Sequence, residues 1–88
     1  MTFRVEVVVQ LKPVVNDPQG IVVLESLRRL GFDGVQTARV GKHINLEVEA
    51  TSPESARGDV ARMCEQLLRN PVIEDYHIAS VRELATAG

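Results

Sequence analysis

Residues 16–31 constrain the fold most, because they carry the start and stop signals of a helix. The Asp17 carboxylate is suited to accept hydrogen bonds from the free N–H groups of a first helical turn, and Pro18 suits the first helical position. Gly31 supplies the left-handed residue that commonly ends a helix. Apolar residues between these signals recur at helical spacing: Ile21, Val23, Leu24, Leu27 and Leu30.

The start of this helix is apolar at four consecutive positions, residues 21–24. At about 100° per residue, these side chains point in every direction around the helix axis. A helix that is apolar on all sides is normally covered on all sides. In so short a chain this favours a second subunit as the cover, with Ile21 and Val22 as candidate contacts between copies. The alternative is a helix start buried under its own loop.

Three segments before and after this helix alternate between apolar and polar residues, which is typical of half-buried strands. Residues 2–12 form the first, in which Val8 places an apolar side chain on the polar face and is a further candidate contact between copies. Residues 35–40 and 43–50 form the next two. Gly41-Lys42 between them is a candidate hairpin turn, although a two-residue loop is only one option.

A second helix is predicted to begin at Thr51 or Ser52 and to stop at Asn70-Pro71. Its expected buried stripe is Ala56, Val60, Met63 and Leu67. Residues 76–81 form the last predicted strand. One of its faces is expected to carry Tyr76, Ile78 and Ser80, and the other His77, Ala79 and Val81.

The order of these elements is βαββαβ. It predicts an α+β fold of the ferredoxin-like class, a two-layer sandwich with an antiparallel sheet and both helices on one face. We expect a single domain over residues 1–82 and a flexible tail over residues 83–88. A chain of 88 residues buries only about 60–65% of its unfolded surface, so oligomerisation would add stability.

Charge and composition narrow the function. The net charge of −2 argues against generic binding to nucleic acid or to an acidic membrane. No run of about 18 apolar residues is present, and the N-terminus shows no export signal. A single cysteine, Cys64, excludes an internal disulfide and fits a reducing cytosol. We therefore expect a cytoplasmic protein.

No catalytic, cofactor-binding or metal-binding residue is predicted for this chain. His43 and His77 lie on separate predicted strands without partners at metal-ligand spacing. Cys64 lies beside the apolar stripe of its helix, as a small buried hydrophobe would. Residues 17–20 do not resemble a phosphate loop, because Asp17 would repel a phosphate at that helix start. The chain is expected to bind and assemble rather than to catalyse.

Two charged groups are candidate docking sites for a partner protein. Arg39, Lys42 and His43 cluster around the predicted hairpin tip, and Glu74 and Asp75 follow the turn at the end of the second helix. The ordinary explanation of such groups is a solvated tip and a solvated turn. The alternative is docking onto a partner of complementary charge.

Several motifs occur together in the order and spacing of a known family. They are DPQG at residues 17–20, LGF at 30–32, VxxxRVGK at 35–42 and MCEQLLRNPVIEDY at 63–76. On these motifs the chain resembles PurS, the small subunit of phosphoribosylformylglycinamidine (FGAM) synthase, over about residues 5–78. It departs from the family pattern in the bulky residues 21–23 and in the tail after Val81.

The resemblance implies a subunit of a split ligase in de novo purine biosynthesis. In that enzyme a glutaminase subunit releases ammonia from glutamine. A large subunit, expected to use ATP and Mg²⁺, converts formylglycinamide ribonucleotide to formylglycinamidine ribonucleotide. The small subunit supplies no known catalytic residue. It self-associates as a dimer or tetramer, bridges the other two chains and supports ammonia transfer, with no nucleic acid or membrane as a partner.

Three other functions of this topology are weighed against that one. A ferredoxin-like regulatory domain would bind a small ligand at a dimer seam. A hydrolase of the acylphosphatase kind would need a phosphate-cradling loop after the first strand, which residues 12–16 do not supply. An RNA-binding domain would need aromatic residues on the open sheet face. That face is expected to carry Arg4, Glu6, Val8 and Gln10 instead.

Overall fold

The computed structural model describes residues 1–84. The elements in chain order are β1 (Thr2–Leu11), α1 (Pro18–Arg29), β2 (Lys42–Glu49), α2 (Pro53–Met63), a single π-helical turn (Cys64–Leu68) and β3 (Glu74–Glu83). β1 is the central strand of a sheet ordered β2-β1-β3 and pairs antiparallel with both neighbours. The α+β class and the antiparallel sheet are confirmed.

One layer of side chains joins the sheet to α2. The alternation of β1 buries four of its inward side chains completely: Phe3, Val5, Val7 and Val9. They pack with the buried residues of the second helical segment, Ala56, Val60 and Cys64. Burial of each valine or phenylalanine side chain contributes about 1.5–3 kcal/mol, so this face holds the domain together.

The second helix buries a different stripe from the predicted one. Met63 and Leu67 are 38% and 81% exposed, whereas Cys64 is buried and Leu68 packs against the core. The prediction of Met63 and Leu67 as stripe residues is therefore wrong. The core positions lie four residues apart, at Ala56, Val60, Cys64 and Leu68. A π-helical turn holds more residues than an α-helical turn, so Leu68 rather than Leu67 faces the core.

A β-bulge changes the faces of β3. Glu6 pairs with Ser80 and the next residue of β1, Val7, pairs with Ile78, so Ala79 has no opposite partner. Such an extra residue reverses the alternation beyond it. Val81 therefore packs against the core and Ser80 lies on the outer face, contrary to the predicted alternation.

Residues 35–40 do not form the predicted strand, because the structure has no regular element between α1 and β2. The predicted hairpin at Gly41-Lys42 is therefore absent as well. Side chains, rather than a neighbouring strand, bind the backbone of this segment. Arg28 Nη2 donates to the Val35 carbonyl over 3.2 Å, and the Val40 N–H donates to a side-chain oxygen of Asp17. We call residues 35–41 the strap.

The end of β3 also differs from the prediction. β3 continues through Glu83, and the Leu84 N–H donates to the Thr2 carbonyl over 2.8 Å. Glu83 therefore belongs to β3, and Leu84 is hydrogen-bonded to β1, whereas the prediction placed both in a tail. Residues 85–88 of the predicted tail lie outside the described residues.

α1 is placed differently from α2. Among the described residues, α2 packs on β1 and β3, whereas α1 has no extended packing with the sheet or with α2. The Cα radius of gyration is 16.8 Å and the long axis is 51 Å. A compact chain of this length would have a radius of about 12 Å, and a ten-residue strand spans only about 33 Å. α1 therefore extends the molecule beyond the sheet.

Candidate interaction surfaces

The junction between α1 and the sheet is built around a buried carboxylate, that of Asp17, which is 4% exposed. Its Oδ1 accepts from the Gly20 N–H over 3.0 Å and caps α1, as predicted. Its Oδ2 accepts from the Val40 N–H of the strap over 2.8 Å, and Arg39 Nε lies 4.0 Å away. The Val40 and Gly20 N–H groups hold the pKa of Asp17 below its usual range.

Arg39 completes this junction from the other side. Its Nη2 donates to the Lys12 carbonyl over 3.0 Å and to the Val15 carbonyl over 3.1 Å. We call Asp17, Gly20, Arg39 and Val40 the clasp, because together they join the β1–α1 loop, the first turn of α1 and the strap. Arg39, a candidate docking residue in the sequence, is thus bonded within its own chain.

Two glycines let the backbone segments approach closely here. A Cβ on Gly20 would lie 2.3 Å from the Ala38 carbonyl oxygen, and one on Gly41 would lie 2.7 Å from that of Val9. Both distances are far shorter than van der Waals contact. Side chains at these positions would push the strap away from α1 and from β1.

The charged end of the sheet brings together three of the candidate docking residues. Lys42 Nζ lies 3.5 Å from Glu74 Oε2, and Lys12 Nζ lies 2.7 Å from Asp75 Oδ1. Partly exposed ion pairs of this kind contribute only about 0–1 kcal/mol to stability. Lys42 and Asp75 are therefore free to exchange for charges on a partner at little cost to the fold. The Glu74 side chain is only 14% exposed and also accepts from the Asn70 N–H over 2.8 Å, so it supports the turn as well.

His43 lies apart from that group. Its Nε2 is 3.4 Å from Glu6 Oε2 on the outer face of the sheet, and it is opposite Val8 in the β1–β2 register. In the β1–β3 register, His77 is also opposite Val8. Val8 is therefore half-buried in a polar face, as the sequence predicts, and this face is not covered by any described element.

One exposed apolar surface belongs to α1 and the turn after it. Its members are between 41% and 74% exposed: Ile21, Val22, Val23, Leu30 and Phe32. We call these five residues the α1 surface. Ile21 and Val22 are not buried under their own loop, so the alternative raised for the helix start is wrong.

A second apolar group, which the sequence did not reveal, lies at the end of α2. Val72 is 77% exposed and Ile73 38%, close in sequence to the exposed Leu67. The Asn70 carbonyl accepts from the Ile73 and Glu74 N–H groups and folds this segment into a tight turn. The apolar pair directly after Asn70-Pro71 was the available signal.

The described residues contain no group of three or more side chains suited to hold a metal ion. Burial raises the pKa of the Cys64 thiol, which disfavours the thiolate. Burial likewise raises the pKa of Tyr76, whose O–H donates to Glu65 over 3.1 Å, with the Arg69 guanidinium 5.1 Å from the ring centroid. That network secures the π-helical turn against β3. In the same part of the chain, no helix is long and apolar enough to cross a bilayer.

Comparison with known proteins decides the family. The family model for PurS, phosphoribosylformylglycinamidine (FGAM) synthase, matches residues 4–82. The chain belongs to the PurS family. It is 43% identical over 82 residues to the PurS subunit of FGAM synthase from Thermotoga maritima, covering 93% of this chain and 96% of the relative. It is also 43% identical over 75 residues to the corresponding Synechocystis subunit, covering 85% and 75%.

Solved structures of the PurS family have the same fold. The Thermus thermophilus PurS structure matches with a TM-score of 0.88 at 32% identity and covers 97% of this chain and 100% of that one. A chain in the structure of PurLQS from Thermotoga maritima matches with a TM-score of 0.81 at 42% identity, covering 96% and 99%. The resemblance drawn from the motifs is confirmed.

Proposed function

We propose that this chain is the non-catalytic small subunit of FGAM synthase, a ligase of de novo purine biosynthesis, and that it bridges the glutaminase and the ATP-using synthetase subunits. Membership of the PurS family supports the enzyme assignment. A similar chain in the Thermotoga maritima PurLQS structure supports association with the other subunits.

The observation that carries the assembly role is the uncovered α1 surface. The chain exposes 6112 Å², whereas a monomer of its mass would expose about 5,100 Å². The excess of about 1,000 Å² compares with the roughly 800 Å² that each partner buries in a standard interface. We propose that a second copy of the chain covers Ile21 and Val22 in a dimer or tetramer, with Val8 as a further contact.

The other subunits require surfaces of their own. We propose that Lys42, Glu74 and Asp75 at the charged end of the sheet contact a partner subunit, joined by His43 on the outer face. Exposed charges of this kind orient an encounter and fix its register more than they add affinity. Arg39 supports this end from within through the clasp.

An adaptor of this shape suits ammonia transfer for a physical reason. Ammonia that reaches bulk water at neutral pH is protonated and loses its nucleophilicity, so the two active sites must dock closely and in a fixed orientation. A rigid adaptor that contacts both subunits makes the second docking event intramolecular and lowers its entropic cost.

The chemistry itself is assigned to the partners. We propose that ATP and Mg²⁺ are used on the synthetase subunit and that glutamine is hydrolysed on the glutaminase subunit. This chain then needs no cofactor. We also propose that the complex works in the cytoplasm, where the reduced Cys64 of this chain would persist.

Reconstitution from the three purified subunits tests the proposal. Glutamine-dependent synthesis is expected only when this chain is present, whereas synthesis from added ammonia is expected with the synthetase subunit alone. Equal glutamine- and ammonia-dependent rates without this chain would contradict the bridging role. A thermal-shift screen of the chain alone with glycine, glutamine and purine nucleotides tests the alternative of a ligand-binding regulatory domain, which predicts a saturable shift.

A further inference from the structure

The clasp is the principal connection between α1 and the rest of the chain. α1 has no extended packing with the sheet or α2 among the described residues, so the β1–α1 loop and the strap connect it to the sheet. At its first turn the clasp holds it: two N–H groups donate to the Asp17 carboxylate, and Arg39 donates to two carbonyls. Near its last turn, Arg28 donates to the Val35 carbonyl of the strap. The close crossing of the strap at Gly20 adds a steric stop.

We propose that Asp17 is a positioning residue for assembly: its carboxylate joins α1 to the strap and thereby sets the angle at which the α1 surface is presented to a partner copy. This rests on the proposed self-association. The two carboxylate oxygens have separate tasks. Oδ1 caps the helix through Gly20, which any good capping residue would do, whereas Oδ2 binds the strap through Val40.

Asp17→Asn separates these tasks. Asparagine caps helices as well as aspartate, so α1 keeps its cap. Its side-chain amide, however, then faces the Val40 N–H, which places donor against donor, and the charge near Arg39 is lost. Asp33→Asn is the matched control, because it removes the same charge from an exposed position in the turn after α1.

The direction of α1 is measured with spin labels on introduced cysteines at Glu25 and Asn45, exposed residues of α1 and β2. A Val22→Asp background and dilution with unlabelled chain ensure that distances arise within one copy. Unmutated chain, in which Cys64 is buried, controls for stray labelling. We expect one narrow distance with Asp17 and a broad distribution with Asp17→Asn.

Self-association is measured by light scattering against concentration, with Val22 restored. Asp17→Asn is expected to weaken it about tenfold or more, which corresponds to about 1.4 kcal/mol, with unchanged helix content by circular dichroism. Asp33→Asn is expected to match the unmutated chain. If Asp17→Asn fails to fold, Arg39→Gln replaces it in both measurements, because it leaves the α1 cap intact.

Two outcomes would overturn the proposal. One is a narrow spin-label distance distribution in the Asp17→Asn chain, whether its self-association is weakened or not. The other is a broad distance distribution in the Asp17→Asn chain together with normal self-association. If the unmutated chain itself does not associate, the proposed dimer or tetramer is wrong, and the spin-label distances still show whether the clasp directs α1.

Discussion

α1 and α2 begin in the same way, each with a capping side chain followed by proline: Asp17 with Pro18 and Ser52 with Pro53. Their surroundings are opposite. α2 buries its apolar stripe under the sheet, whereas α1 leaves most of its apolar residues to solvent. The more apolar helix start therefore belongs to the less buried helix. The comparison teaches that α2 builds the domain and that α1 displays a surface for another chain.

The ways in which the two helices are attached differ too. α2 is held by side-chain packing over its length, which tolerates the loss of any one polar contact. α1 is held by a few hydrogen bonds, those of the clasp at its first turn and the bond from Arg28 to the strap at its last turn. Changes in α2 should therefore affect folding first, and changes in α1 should affect assembly first.

The largest effect is expected from a charge in the α2 core. Val60→Asp would place an unpaired carboxylate among fully buried side chains and should cost more than about 4 kcal/mol of the free energy of unfolding. Urea unfolding followed by circular dichroism measures this. If the Val60→Asp chain unfolds cooperatively near the unmutated midpoint, α2 does not build the core as described.

The same charge on α1 should leave the domain folded. Val22→Asp adds a carboxylate at a position that is 59% exposed, so the change in the free energy of unfolding of a single copy should stay within about 1 kcal/mol. Light scattering should find the chain monomeric, and reconstituted glutamine-dependent synthesis should fall. Glu25→Gln, an exposed polar position on α1, is the control. A Val22→Asp chain that associates normally would remove the contrast between the helices.

The α2 cap offers a smaller and purely local effect. Ser52 Oγ accepts from the Ser55 N–H over 3.1 Å, and Ser52→Ala should cost about 1 kcal/mol of stability without altering self-association. Thermal unfolding and light scattering measure the two quantities. Ser55→Ala serves as the control, since its backbone N–H is retained. Loss of association in Ser52→Ala would show that α2 also supports assembly.

Acid should gradually lower the free energy of unfolding through one carboxylate at the start of α1 and one in the π-helical turn after α2. Backbone N–H groups lower the pKa of Asp17, and the Arg69 hydrogen bond lowers that of Glu65. A carboxyl with a lowered folded-state pKa contributes stability that is fully present above its unfolded value of about 4 and is lost as the pH falls through the folded value. The free energy of unfolding should therefore be flat near neutrality and decline below about pH 4. Asp17→Asn should reduce that decline, and an unchanged decline would contradict the role of Asp17.

Much of the fold was predictable because its signals are local. The alternation of β1, the Asp17 cap, the left-handed Gly31 and the Ser52 cap all appear in the structure where the sequence indicated them. Each depends on a residue and its near neighbours. The Oδ2 contact of Asp17 was not predictable, because its donor, Val40, lies 23 residues away.

The errors share one cause, which is that distant partners decide them. Residues 35–40 alternate like a strand, but their backbone is bonded to the Asp17 and Arg28 side chains and to the Phe32 carbonyl rather than to a strand. The bulge at Ala79 depends on the register with β1. The exposure of Leu67 depends on a π-helical turn, which is bonded to β3 through Glu65 and Tyr76.

The amino-acid sequence by itself determined the family, the helix ends, the central strand and the presence of more apolar surface than one small domain buries, because these depend on spacing and composition. Only the tertiary structure decided which helix covers the sheet and which extends away from it. That choice rests on the clasp, where one buried carboxylate joins segments that are far apart along the chain.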